Sequence, residues 1–339
     1  MRRAWMVPLA LAALCVPVPA AHAATVTLKL GTMAPEGSSW DALLKEMAGK
    51  WSAASGGTVK LKIFGGGVAG NEGDMVRKLR IGQLHAAALT VVGLHDIDSA
   101  PQAISAPGLI ADDAEWQHVF GKMMPIWEAT LRERGFVVLM WADTGWVHMF
   151  LRKNVASPSE MKGLKVFSWA GDPASANAWK LAGFTPVVIS ATDILPSLST
   201  GMIDGFGATP IMALTARWYE YTPYMTSTAW GHLPGATVVR AETWQQIPAP
   251  MQAKLLAIAK EYGDKVNAEV VRLQADAVVA MQKNGLKVLT LDTVAWNKLA
   301  EQSWGAVRGG VVTEVQFDEV KKVRDAYRAS HAGGARHTP

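Results

Sequence analysis

Thr58-Val59-Lys60-Leu61-Lys62-Ile63-Phe64-Gly65-Gly66-Gly67-Val68-Ala69-Gly70-Asn71-Glu72 decides the fold. Residues 58–64 alternate polar and apolar side chains with period two, the signature of a strand with one buried face. The glycines that follow permit a tight loop, and a helix is expected from about Asn71 to Ile81. Strand, glycine loop and helix in that order are the unit of an α/β layer.

The pattern recurs outward in both directions. Thr25–Gly31 alternates as a strand, and Ser38-Ser39 caps an expected helix from Trp40 to about Ser55, with Leu43, Leu44, Met47 and Trp51 on one face. Ala86–Val92 reads as a buried strand and Asp112–Arg134 as a long helix. Strands are expected at Phe136–Ala142, Trp146–Arg152, Lys165–Trp169 and Pro186–Ile189, with a helix at Pro173–Leu181 capped by Asp172. Thr192 opens a short helix, Ile211–Tyr221 is helical, and one helical region covers about Pro250–Lys283. Ala236–Arg240 and Leu286–Leu291 are extended, and two helices, Thr293 to about Ala306 and Val315 to about Ala329, follow. Alternating strands and helices predict α/β layers with mainly parallel sheets.

Residues 1–23 are expected to be a secretory signal. Met1-Arg2-Arg3 is a positive start, Ala4–Val18 an apolar run, and Ala21-His22-Ala23 a small-residue cleavage site. The run is too short for a stable membrane span, and Pro17 and Pro19 oppose a buried helix. The rest of the chain is then an exported, soluble protein, long enough for two domains of about 150 residues. Its only cysteine, Cys15, leaves with the signal, so no disulfide or thiol chemistry is expected. Losing Arg2 and Arg3 lowers the net charge from +4 to +2, a balance that suits neither nucleic acid nor a strongly charged membrane surface. Thirteen of the fourteen tryptophans remain, more than cores need, and tryptophan is a favoured lining for flat or apolar ligands.

Catalytic and cofactor motifs fail on inspection. Gly65–Gly70 matches G-x-G-x-x-G in letters, but Thr90 and Val91 stand where a dinucleotide site needs an acid. The loop reads better as a close backbone approach to a ligand beside a cleft. No histidine pair has metal-ligand spacing, no G-x-S-x-G is present, and no cofactor is called for. The protein is expected not to be an enzyme.

Leu28-Lys29-Leu30-Gly31, Ser55-Gly56-Gly57-Thr58-Val59-Lys60-Leu61, the glycine loop to Glu72 and Arg80-Ile81-Gly82-Gln83-Leu84-His85-Ala86-Ala87 follow one another in order. Through these and later stretches, over nearly all of the chain after the signal, the sequence bears a resemblance to the solute-binding proteins of TRAP-type (tripartite ATP-independent periplasmic) transporters. Its most specific stretches are Ser157-Pro158-Ser159-Glu160-Met161-Lys162-Gly163-Leu164-Lys165-Val166 and Leu198-Ser199-Thr200-Gly201-Met202-Ile203-Asp204-Gly205, followed by Tyr219-Glu220. It implies a periplasmic binding protein-like α/β fold: two α/β domains, a ligand cleft between them and a long helix spanning both. Residues 24–147 with about 237–281 are expected to form domain I, about 148–236 with 282–330 domain II, and 331–339 a disordered tail. It implies a periplasmic protein that closes on a small-molecule solute and passes it to the permease subunits of a TRAP transporter.

The departures concern the ligand. The family's carboxylate-binding arginine after "G-L-K" is replaced by Phe167, a second at the crossover by Val147, and its asparagine by Thr209 or Ala208. Burying a carboxylate without its cation is costly. The solute is therefore expected to be neutral, aromatic or largely apolar, held by Trp40, Trp146, Phe167 and Trp169, with Glu72 and Thr209 as polar partners and Phe206 as a weaker candidate. The alternatives are a carboxylate held by a non-standard cation, an exported enzyme, or a ligand-free scaffold on the same fold.

Overall fold

The structure, a computed structural model, describes residues 25–170 and 172–331. The expected export signal lies outside the described residues, as does the expected tail apart from His331, which ends the last helix. In chain order the first elements are β1 (Val26–Thr32), α1 (Ser39–Ala54), β2 (Val59–Phe64), α2 (Glu72–Arg80) and β3 (Ala86–Thr90). The Ser38 hydroxyl accepts from the Asp41 amide at 3.3 Å, starting α1, which buries Leu44, Met47 and Trp51. Asn71 and Asp74 form a reciprocal capping box at the start of α2.

The strand expected over 86–92 ends at Thr90. The Thr90 hydroxyl accepts from the Val92 amide at 3.2 Å and turns Val91–His95 into a short helix, α3. A 3₁₀ turn (Ala100–Ser105), α4 (Asp113–Glu133) and β4 (Phe136–Leu151) follow. The two strands expected at 136–142 and 146–152 are one continuous β4, irregular where its register against a later strand shifts between Asp143 and Trp146.

The second part of the chain forms β5 (Lys165–Trp169), α5 (Pro173–Leu181), β6 (Thr185–Ile189), α6 (Ile194–Thr200), β7 (Gly205–Ala208), α7 (Pro210–Thr215), β8 (Tyr224–Thr226) and β9 (Gly231–Arg240). Arg217, at φ 58°, breaks the helix expected over 211–221 into α7 and a 3₁₀ turn at Trp218–Tyr221. The last elements are α8 (Ala241–Trp244), α9 (Ala249–Lys283), β10 (Lys287–Leu289), α10 (Thr293–Val307) and α11 (Glu314–His331).

The strand order is β2-β1-β3-β9-β4-β7-β5-β6, with β8 beside β4 and β10 beside β8. β2, β1 and β3 form a parallel group, as do β7, β5 and β6. The expectation of mainly parallel sheets holds for these outer groups. The centre is antiparallel, because β9 runs against β3 and β4, and β4 runs against β7. β4 thus pairs with β9 along its first part and with β7 along His148–Leu151, tying the two groups together.

The 35-residue α9 is about 50 Å long and packs on β4, α1 and α7. At Gly263 a Cβ would stand 2.8 Å from the Trp141 carbonyl oxygen, so only glycine lets helix and strand approach this closely. α11 packs on α4 and the Ala100–Ser105 turn, burying Phe317 and Val320 in the core of the first group, although the sequence reading grouped residues 282–330 with the second domain. Arg328 fixes it through an ion pair to buried Glu115 at 2.5 Å. Among the described residues no helix is long and apolar enough to cross a membrane.

Candidate functional site

Two adjoining cavities lie between the strand groups, near the carboxyl ends of β1, β3 and β5, where open α/β sheets bind ligands. The first, about 150 Å³, is walled by Met33, Trp40, Glu72, Thr90, Thr144 and Met212, among others. The second, about 290 Å³, is walled by Met33, Trp40, Trp169, Leu195, Met212 and Trp218, among others. Met33, Pro35, Trp40 and Met212 belong to both. Among the described residues neither lining contains a lysine or arginine; Glu72 is the sole ionisable side chain of the first, and the second has none. A larger cavity, about 490 Å³, sits at the opposite ends of β1 and β2, beside Thr25, His85 and Arg240. It is walled by the first group and its flanking helix ends alone, so closure over a solute would not involve it.

Trp40, in the first turn of α1, faces both inter-group cavities. Trp169, the last residue of β5, faces the second. Phe167, two residues earlier on the same strand, is 4 % exposed and faces neither; its ring stands edge-on to Trp169 at 5.1 Å and supports it from behind. Thr209 is wholly buried at the start of α7 with its hydroxyl unpartnered, while Met212, three residues on, enters both cavities. Phe206 lies in the core, stacked on Phe150 and edge-on to Trp218.

Glu72 lines the first cavity, but its carboxylate already has partners. It accepts from the Thr90 amide at 2.8 Å, from the Thr90 hydroxyl at 2.7 Å and from the Gly93 amide. It therefore anchors the start of α3, which brings Thr90 to the cavity wall. Burial pushes its pKa up against the pull of these donors.

Trp146 stands apart from the other aromatic candidates. Its Nε1 donates to Asp113 at 2.7 Å and its ring meets the edge of His232 at 4.7 Å. It faces neither cavity. His232, on β9, is stacked on Trp116 at 3.7 Å, and its Nε2 lies 3.4 Å from an Asp143 carboxyl oxygen. Burial pulls the His232 pKa down to about 3. Burial pushes Asp143 up to about 7, with the neighbouring Asp113 adding to the rise. Burial drives both groups toward their neutral forms and so disfavours an ion pair at this contact, which lies at the irregular stretch of β4.

Sequence reasoning missed Met33, Met212 and Trp218. Met33 follows directly from β1 and carries no motif. Trp218 opens the 3₁₀ turn that follows Arg217 in its left-handed conformation. Met212 was accessible in principle, one turn into a helix opened by Thr209-Pro210. The glycine loop does reach the second cavity through Gly66, and a Cβ at Gly67 would press on Met33 and Thr192. Among the described residues no cluster of histidine, cysteine and acidic side chains could hold a metal.

Two strand groups joined by crossing strands, with an apolar cleft between them, are the arrangement of a two-lobed binding protein. The match to the family model for bacterial extracellular solute-binding protein, family 7 (DctP) runs over residues 30–308. The chain belongs to this family, and it is a TRAP-type periplasmic solute-binding protein, a transport component and not an enzyme. It is 24 % identical over 244 residues to the 2,3-diketo-L-gulonate-binding periplasmic protein YiaO of Escherichia coli, covering 71 % of this chain and 74 % of that one. It is 26 % identical over 165 residues to the C4-dicarboxylate-binding periplasmic protein DctP of Rhodobacter capsulatus, about half of each chain (49 % and 48 %). The fold is shared with a TRAP solute-binding protein from Desulfovibrio salexigens solved with orotic acid (TM-score 0.82, 17 % identity, 90 % of this chain and 99 % of that one). It is shared too with one from Pseudomonas putida F1 solved with D-glucuronate (TM-score 0.80, 21 % identity, 88 % and 97 %).

Proposed function

We propose that this protein captures a small neutral, aromatic or largely apolar solute and delivers it to the permease subunits of a TRAP transporter, after export and cleavage of its signal near Ala23. The observation that carries the reading is a cleft walled by Trp40, Trp169, Trp218, Met33 and Met212 with no cationic side chain in its lining. The relatives solved with orotic acid and D-glucuronate hold carboxylates. A carboxylate enclosed here would lose its hydration without gaining a cation, a penalty of several kcal/mol. Indole faces and thioethers suit a flat or apolar body instead.

In this reading Trp40 and Trp169 grip the solute, Phe167 braces Trp169, and Glu72 holds Thr90 in place as a polar contact. Thr209 offers a buried hydroxyl close to Met212. Trp146 acts at the joint between the lobes rather than on the solute. Domain I then comprises the β2-β1-β3 group and domain II the β7-β5-β6 group.

Native mass spectrometry of freshly purified protein tests the proposal by weighing whatever remains bound. A neutral or aromatic adduct that raises the melting temperature is expected, and Trp169→Ala is expected to weaken its binding at least about tenfold while preserving the fold. Recovery of a simple dicarboxylate, with binding indifferent to Trp169→Ala, overturns it.

A further inference from the structure

Gln102 sits in the Ala100–Ser105 turn, packed on the core of the first strand group. Its side chain leaves that group. Nε2 donates to the Asp172 carboxylate at 3.2 Å and to the Ser175 hydroxyl at 3.4 Å, both at the start of α5 in the second group. Gln102 and Asp172 are buried, at 8 % and 4 % exposure. A carboxylate can only accept, so Asp172 dictates which end of the amide faces it. The opposite end, Oε1, is buried with no donor among the described residues. The neighbouring space, about 100 Å³ beside Ser105, Trp179 and Trp230, shares no lining residue with the solute cavities.

We propose that Gln102 is a positioning residue for solute capture: its bond to Asp172 forms only when the two lobes meet, and it sets how much of the protein is closed before any solute arrives. The inference rests on the reading that the lobes close over a solute, but on no particular solute. Its chemistry explains why such a clasp lets go. The bond to a carboxylate is charge-assisted and strong. The stranded Oε1 opposes it, because that oxygen regains a partner as soon as opening admits water. The two effects nearly offset each other, which leaves a reversible contact. Since it touches no solute, it acts equally on every ligand the cleft accepts.

The test measures the distance between nitroxide labels by pulsed electron resonance, in the absence of solute. The only cysteine is Cys15 in the expected signal, so the exposed Lys60→Cys and Lys180→Cys mark one lobe each. Two distance populations are expected. Gln102→Leu should lower the short-to-long ratio at least about fivefold. Asp172→Asn should lower the ratio less than Gln102→Leu does, because an amide oxygen accepts the same bond without the charge and still caps α5. Gln102→Glu sets two carboxyls together. It should open the protein near neutral pH and let it close again on acidification, when one carboxyl takes a proton, a reversal a merely structural residue would not produce. If Gln102→Leu does not fold, that reversal alone decides. A ratio indifferent to Gln102→Leu and Gln102→Glu, while the lobes still move, overturns the clasp and leaves solute capture standing. A single unchanging distance in all variants overturns the clasp, and one that also persists with the co-purified solute present overturns the closing motion.

Discussion

Asp143→Asn tests the neutral pair at the joint, and its sign can be worked out in advance. Burial raises the Asp143 pKa from 3.8 to about 7 in the folded protein. The folded state then holds this proton more tightly than the unfolded chain does. The stability it contributes is full below about pH 4 and is lost as pH rises toward 7. That span is about three pH units at 1.36 kcal/mol each, a ceiling of about 4 kcal/mol. His232 works in the opposite sense, since its folded pKa falls from 6.5 to about 3. Its contribution is full above pH 6.5 and lost as pH falls toward 3, a ceiling of about 5 kcal/mol. Between about pH 4 and 6.5 the folded protein holds one proton on Asp143 and the unfolded chain one on this histidine. The two slopes cancel and wild-type stability is nearly flat.

Asparagine removes the first slope and exposes the second. Its side-chain oxygen still accepts from the Gly145 amide, now bonded at 2.7 Å. The difference in unfolding free energy, variant minus wild type, should be near zero at about pH 4 and grow to about 2–4 kcal/mol in the variant's favour at about pH 8. Urea unfolding followed by circular dichroism at one-unit pH intervals measures it. If Asp143 and His232 were an ion pair, the variant would instead be weakest between about pH 4 and 6.5. That sign, or a difference that does not change with pH, refutes the reasoning.

Two further outcomes follow from the site. Thr209→Val deletes a buried hydroxyl that has no partner, so stability should hold or rise by about 1 kcal/mol in thermal unfolding. A loss above about 2 kcal/mol would mean that the hydroxyl is bonded after all. Phe167→Arg places a guanidinium at a position only 4 % exposed and should cost about 3 kcal/mol in the solute-free protein. Because Phe167 faces neither cavity, added carboxylates should restore none of that melting temperature, and a rescue would mean that the side chain at this position reaches the solute space.

Much of the framework was legible because local chemistry governs it. The alternation at 58–64, the Ser38 and Asp172 caps and the long run ending at Lys283 each act within a few residues of themselves. Val91 and Val92 defeated the same logic. β-branched residues favour a strand, but the Thr90 hydroxyl and the carboxylate of Glu72, eighteen positions earlier, turn them into a helix. β7 carries two glycines among four residues and advertises no strand; pairing with β4 makes it one. Trp146 was grouped with the cleft because its neighbours in sequence belong there. Its packing partner, His232, lies 86 residues away on β9, and no local pattern announces that. Glu72 was read as a contact for the solute, whereas its partners are backbone and hydroxyl donors that only the folded chain assembles.

The crossing strands have a consequence for how such proteins diversify. β4 and β9 carry the joint between the lobes, while Met33, Trp40, Trp169 and Met212, which face the cavities, come from the ends of other strands and the first turns of helices. β4 and β9 also lend Met140, Ala142, Thr144, Gly235, Ala236 and Thr237 to the wall of the first cavity, so joint and wall share part of the chain. Met33, Trp40, Trp169 and Met212 lie off that shared stretch, and a lineage can exchange them while the crossing strands stay as they are.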